Sequence, residues 1–419
     1  MSAKKERLHF IDNLRASTML AVLSAHVLLS FTAAGFYAWP AKDIYTSKIF
    51  NAIVVSLHTF TMPLFFFVAG LVAYHLHSKL GSFGFIRQRL KRIGLPFLLG
   101  LLFLFYYHTV EWLNYVMMQC QSKQLPACFG PGGIVAVQVF FSKHWLSNLR
   151  TFYDATGTLW FIYYLLFLYG GVIFLVVTRK IFRINSIQLH RPSRQFSRYF
   201  RNFISSRWHV VLLVILTALN LWPLHGWYII SPTSFIPNFW LLIFYGWFFF
   251  YGWIASNMPL LIEQWQKQSW LWLVLFLLPI YALLVNYQPW FQQYNSYYVV
   301  KFIALLVASA CGWLMILVAT SVYLRYLNRP NRVLRYLADA SYWVYLTGVP
   351  MVICWQNYFA HSDLNVLLKI TIIFSTVLTI ALLSYQLLVR HTFIGKVIMG
   401  GRARKKLNER PDNILPSSK

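Results

Sequence analysis

Ten stretches of this sequence run for about the length of a bilayer crossing with almost no charge inside them, and that recurrence narrows the fold more than any single motif. They fall at 14–36, 48–77, 93–118, 157–178, 208–224, 238–256, 269–287, 298–323, 341–360 and 365–389. A helix needs roughly 20 apolar residues to cross the hydrocarbon core. Only helices and closed barrels satisfy every backbone polar group there. Runs of this length read as helices, because barrel strands are shorter and alternate in polarity. The sequence therefore predicts an all-α, polytopic membrane protein with about ten transmembrane helices. With 58% hydrophobic and 11% charged residues, a soluble domain of this size is excluded.

The formal net charge of +27 does not point to nucleic acid, because the basic residues are not spread over a soluble surface. They gather in every second connection: the N-terminal tail, RQRLKR at 87–92, the acid-free segment 179–207, the segment 325–335, and the tail from Arg390. Cytoplasmic connections of membrane proteins carry this excess, which also suits an anionic leaflet. Both termini are expected in the cytoplasm. The first apolar run lacks a small-residue cleavage site after it, so it is expected to stay as the first helix. Seventeen Trp and 26 Tyr suit interfacial belts. Cys120 and Cys128 share one outer connection, where a disulfide and two free thiols are both open. Cys311 and Cys354 lie in apolar runs and are expected to pack. No Cys/His set has metal-site spacing, so no metal is expected.

Within the first run, NLRASTMLAVLSAH places Arg15 and His26 eleven residues apart. Eleven steps of about 100° return to within about 20° of the starting direction, and the rise is about 16 Å. Both side chains thus share one helix face, one at the helix mouth and the other near mid-membrane. An ionisable residue at that depth is a functional candidate by default. Imidazole is the side chain best suited to general base work near neutral pH. Arginine grips phosphate by paired hydrogen bonds. A snorkelling arginine and a histidine bonded to a neighbouring helix would give the same spacing. Arg89 and Arg92, three apart, share a face at the approach to the third helix.

These residues lie in segments that resemble acyltransferase family 3 of integral membrane proteins, and within it the glucan-biosynthesis-protein-C-like members. The similar segments, in the family's order, are FIDNLRASTMLAVLSAH with its Arg-x10-His pair, HTFTMPLFFFVAGL at 58–71, RQRLKRIGLP with its Arg-x-x-Arg, GTLWFIYYLL at 157–166 and LADASYWVYLTGVP at 337–350. Thr158 and Gly348 stand where the family often has histidine. The resemblance implies a membrane acyltransferase domain over 1–395, followed by a basic cytoplasmic tail over 396–419. It also implies a membrane-bound O-acyltransferase of the cell inner membrane. Such an enzyme moves an acetyl- or succinyl-class group from cytoplasmic acyl-CoA, a donor substrate rather than a cofactor, to a carbohydrate hydroxyl outside. His26 would be the base, and Arg15, Arg89 and Arg92 would hold the donor phosphates.

Other polar residues are candidates for the acceptor side. His108 and Glu111 share a face of the third helix, Asp154 precedes the fourth, and Trp160, Tyr342 and Tyr345 offer stacking surfaces, although in a chain this aromatic the simpler role of all three is packing. Asp12 is expected to orient Arg15. His58, at about the depth of His26, is expected to pack or support it. Asp339 and Ser341 read as a helix N-terminus. A glycan transporter or flippase, and a non-catalytic glycan-binding relative, are the competing classes. No inverted repeat favours the transporter. Self-association into a homo-oligomer is left open.

Overall fold

The computed structural model describes residues 9–33, 39–101, 156–185, 202, 206, 208–229, 231–258, 271–294, 296–392 and 395. Nine apolar helices organise them: α1 (His9–Leu28), α2 (Lys48–Arg89), α3 (Trp160–Asn185), α4 (Trp208–Leu221), α5 (Phe239–Asn257), α6 (Leu271–Asn286), α7 (Tyr297–Tyr326), α8 (Arg332–Phe359) and α9 (Val366–Ser384). Seven helical stretches among the described residues are long and apolar enough to cross a membrane. The helices α4 and α6 are apolar but have only 14 and 16 residues. At 1.5 Å per residue they are shorter than a bilayer core. The segment read as the second helix and the described start of the third, as far as Leu101, form one helical stretch, Lys48–Leu101. It bends at Gly81, whose φ of 67° is open to glycine and strained for other residues. A π-helical turn, Leu90–Gly94, then carries the basic cluster into the next segment.

Local chemistry fixes the helix starts, including the one that hydropathy alone places late. Ser47, Asn238, Asn331 and Asn365 each accept a hydrogen bond from a backbone N–H of the first helical turn. The cap at Asn331 starts α8 nine residues before the apolar run begins. Asp339 and Ser341 therefore lie inside the helix, which corrects their reading as a helix N-terminus. The first turns of α8 carry Arg332 and Arg335, and that polarity hides them from a hydropathy scan.

Two apolar clusters flank a cavity, and a third, smaller one joins Val55 of α2, Tyr281 and Val285 of α6 and Ala304 and Ala308 of α7 around Trp227. Met19, Leu23 and Val27 of α1 join Ala340, Val344 and Val352 of α8 and Ile373 and Val377 of α9 in one apolar cluster. A larger, aromatic cluster joins α2, α3, α4, α5 and α7 around Phe66, Tyr245, Phe248 and Trp313. The closest approach is between α2 and α5. A methyl group on Gly70 would overlap the carbonyl of Phe249, and one on Gly252 the carbonyl of Phe67. Small residues allow such backbone contact between membrane helices. Cys311 is a buried free thiol and Cys354 an exposed one.

Candidate active site

At the seam between the two flanking clusters lies a cavity of about 540 Å³, within the range of small-molecule sites. Arg15, Arg89, Arg92 and His26 all line it. Arg15 and His26 are both on α1, so the space follows that helix for about 16 Å. Between them the wall is apolar, with Met19, Val22, Leu23, Met62 and Phe65. Gly348 of α8 faces the same space, where a methyl group would meet only Leu23 at 3.6 Å and Val344 at 3.9 Å.

At the arginine end, the Arg15 guanidinium donates to the Ala338 carbonyl and the Ser341 hydroxyl, both at 3.3 Å. Asp12 and Asp339 are the acids in its electrostatic neighbourhood. Arg89 donates to the Tyr169 hydroxyl at 3.4 Å and lies over the rings of Tyr169 and Phe85. Two further arginines join these three. Arg335 comes from α8, and Arg390 follows the π-helical turn after α9. Arg390 lies over Tyr336 and donates to Gln386 at 2.8 Å. Five guanidinium groups against the carboxylate of Asp339 make this wall strongly positive.

At the other end, the imidazole of His26 has a defined tautomer. Its Nδ1 lies 2.8 Å from the carbonyl of Val22. A carbonyl only accepts, so Nδ1 carries a proton, and in the neutral ring Nε2 keeps its lone pair. The helix turn that carries His26 is pinned from α8. Gln356 donates to the carbonyls of His26 and Val27 at 3.0 and 2.9 Å, and accepts from the Trp39 indole at 2.7 Å. The Trp39 ring lies 5.8 Å from the His26 ring. His58 lies 6.3 Å from it on another side and lines a separate small pocket.

Trp39 opens a strap, residues 39–47, that leads into α2. The strap is fixed by a buried ion pair between Asp43 and Lys369 of α9, with contacts of 2.8 and 3.0 Å. Lys42 donates to the Thr32 hydroxyl at 2.8 Å, and burial pulls its ammonium below the ordinary lysine value. Backbone bonds from Asp43 to Ser30 and from Ser47 to Phe31 complete the strap.

Not every candidate joins the cavity. Trp160 is buried among Phe66, Tyr164 and Tyr245, where it packs, and it does not line the space. Tyr342 and Tyr345 do line it, and Tyr345 gives its hydroxyl to the carbonyl of Thr158. His108, Glu111, Asp154, Cys120 and Cys128 lie outside the described residues.

A family model described as an acyltransferase domain matches residues 8–386, which is most of the chain. The chain belongs to acyltransferase family 3. Membership bears out the resemblance carried by the five segments, and all five contribute residues to the cavity of this family 3 chain. Among curated proteins, glucans biosynthesis protein C of Escherichia coli (strain SMS-3-5 / SECEC) is 28% identical over 93 residues, 22% of this chain and 23% of that protein. The protein of the same name from Salmonella paratyphi B (strain ATCC BAA-1250 / SPB7) is 27% identical over 97 residues, 23% of this chain and 24% of that protein. The matched stretch thus spans about a quarter of these relatives' own length. No solved structure matches.

Sequence reading missed four contributors to this family 3 site: Arg335, Arg390, Gln356 and Trp39. For Arg335 a signal was available. Residues 335, 338, 342 and 345 share a helix face once the Asn331 cap is taken as the start. Arg390 looked like part of a basic tail. Nothing local distinguished Gln356 or Trp39.

Proposed function

We propose that this chain is a multi-pass inner-membrane enzyme that transfers an acetyl- or succinyl-class group from cytoplasmic acyl-CoA to a hydroxyl of an extracytoplasmic carbohydrate. In this reading the chain crosses ten times, both termini are cytoplasmic, and the arginine end of the cavity opens to the cytoplasm. The observation that carries it is a single cavity that joins Arg15, Arg89 and Arg92 to His26 along one helix. An acyl-CoA has the matching shape, a multiply charged nucleotide on a thin, mostly apolar arm. Arg335 and Arg390 add to the same positive wall.

The chemistry follows from the tautomer. The Nε2 lone pair of His26 takes the proton of the acceptor hydroxyl as its oxygen attacks the thioester carbonyl. The tetrahedral intermediate collapses, the C–S bond breaks, and the proton passes from Nε2 to the departing thiolate. The products are an ester and free CoA thiol. During this exchange the Val22 carbonyl holds the ring in place through Nδ1–H, as carboxylates and carbonyls do for other catalytic histidines.

The test uses the purified protein in liposomes with radiolabelled acetyl-CoA on the arginine side. The enzyme should release free CoA only when a carbohydrate acceptor is present, with label appearing on the acceptor. Movement of glycan without CoA release would mark a flippase instead. Binding of glycan with neither event would mark a non-catalytic relative.

A further inference from the structure

Two buried hydrogen-bond donors in the cavity wall have no partner among the described residues: Nε of Arg89 and the hydroxyl of Tyr342. Native proteins leave few such groups, and each asks for a reason. Their neighbours sharpen the question. Tyr169 and Tyr345 line the same space, and both hydroxyls are engaged, with Arg89 and with the carbonyl of Thr158. Tyrosine in this wall is therefore not left unsatisfied as a rule.

The position of Tyr342 indicates what would satisfy it. It follows Ser341, which accepts from Arg15. Helical side chains lean toward the helix N-terminus. For α8 that is the end carrying Arg335 and Asp339, so Tyr342 leans toward the arginines and away from His26. The Nε of Arg89 belongs to the edge with which a guanidinium grips phosphate side-on. A hydroxyl donor and a charged N–H donor, neither with a partner among the described residues and both on residues of a positive wall, suit phosphate oxygens in chemical type.

We propose that Tyr342 is a further donor-binding residue, its hydroxyl held with Arg89 Nε for a phosphate of the nucleotide part of the donor. This rests on the reading of the arginine end as an acyl-CoA site. It assigns Tyr342 to ligand binding, where its segment alone suggests packing.

Tyr342→Phe removes the hydroxyl and nothing else. Equilibrium binding of acetyl-CoA and of 3′,5′-ADP to the purified protein in detergent tests it, alongside thermal unfolding. The variant should bind both ligands about 10-fold or more weakly, as expected for a lost hydrogen bond to a charged group. Its unfolding temperature should be unchanged or higher, because a stranded polar group has been removed. Wild-type affinity for 3′,5′-ADP in the variant overturns the proposal, including the case where only acetyl-CoA binding weakens, which would move the contact to the pantetheine arm. A lowered unfolding temperature also overturns it, by making the hydroxyl structural. If the wild-type protein binds neither ligand, the acyl-CoA reading itself fails, which is a different result from equal binding by the two proteins.

Discussion

Around His26 the protein has supplied partners of its own: Val22 for Nδ1, Gln356 for two carbonyls of the same turn, and Trp39 for Gln356. About 16 Å along the same helix, Arg89 and Tyr342 keep buried donors without a partner among the described residues, and Arg92 and Arg335 are exposed. The contrast separates two tasks. A base must hold one orientation through the reaction, so its surroundings are fixed in advance. A binding mouth must exchange its contacts for those of an arriving ligand, so some of its donors stay open. On the function proposed here, pre-organisation would be concentrated where the bond changes, and unspent hydrogen-bonding capacity where the ligand is recognised.

The largest expected effect breaks the comparison at its fixed end. His26→Gln keeps volume and hydrogen bonding but cannot take a proton. Steady-state acyl transfer should fall about 10²–10⁴-fold, with acetyl-CoA affinity within twofold of wild type. Near-normal turnover would make His26 structural and leave the cavity without its base. Next in size is Lys369→Met, which strands the buried carboxylate of Asp43 under the strap. Removing one partner of a buried pair typically costs about 3–5 kcal/mol. Denaturation should show that loss, and adding Asp43→Asn to the same protein should recover part of it. If the single variant is as stable as wild type, the strap is not what fixes the base end.

At the open end the effects are smaller and fall on binding. Arg89→Gln should weaken acetyl-CoA by roughly 10- to 150-fold, the value of a charge-assisted contact, with turnover of bound donor preserved. Lysine at Arg15 should restore affinity only in part to a charge-neutral variant, because it lacks the planar fork. Equal donor binding in all these proteins would return the arginines to topology alone. The smallest expected effect is at Gly348. Alanine there meets no atom closer than 3.6 Å and improves a helix interior. It should raise stability by about 0.5–1 kcal/mol, read as a modest rise in unfolding temperature with activity retained.

How much of this was legible in the sequence depended on whether a signal was local. The pairing of Arg15 with His26 follows from helix arithmetic within one run, and the cavity contains both. Arg89 and Arg92 were legible for the same reason. Arg335 was hidden because the first turns of α8 are polar, and hydropathy locates the buried part of a helix rather than its cap. Gln356 and Trp39 carry no periodic mark in a chain that is 19% aromatic. The acceptor role read for Trp160 came from its residue type and motif. The three-dimensional surroundings that make it a packing residue come from α2 and α5, far away in the chain. The pairing of Asp43 with Lys369 spans 326 positions, and no window of sequence could have joined them.

That span also bears on how the protein is made. Asp43 leaves the ribosome 326 residues ahead of the lysine that neutralises it. At about 5–20 residues per second the wait is roughly 15–65 s. During that interval Asp43 lacks the lysine it pairs with, so the arrangement of the strap cannot be completed, and the end of α1 that bears His26 is not yet clamped. Synthesis of α9 therefore sets the order of assembly: seven of the described helices are laid down between the strap and its clamp, and the His26 end of α1 locks late. A nascent chain arrested before residue 369 should accordingly leave a cysteine placed at Lys42 open to membrane-impermeant thiol reagents, and one arrested well beyond it should protect that cysteine.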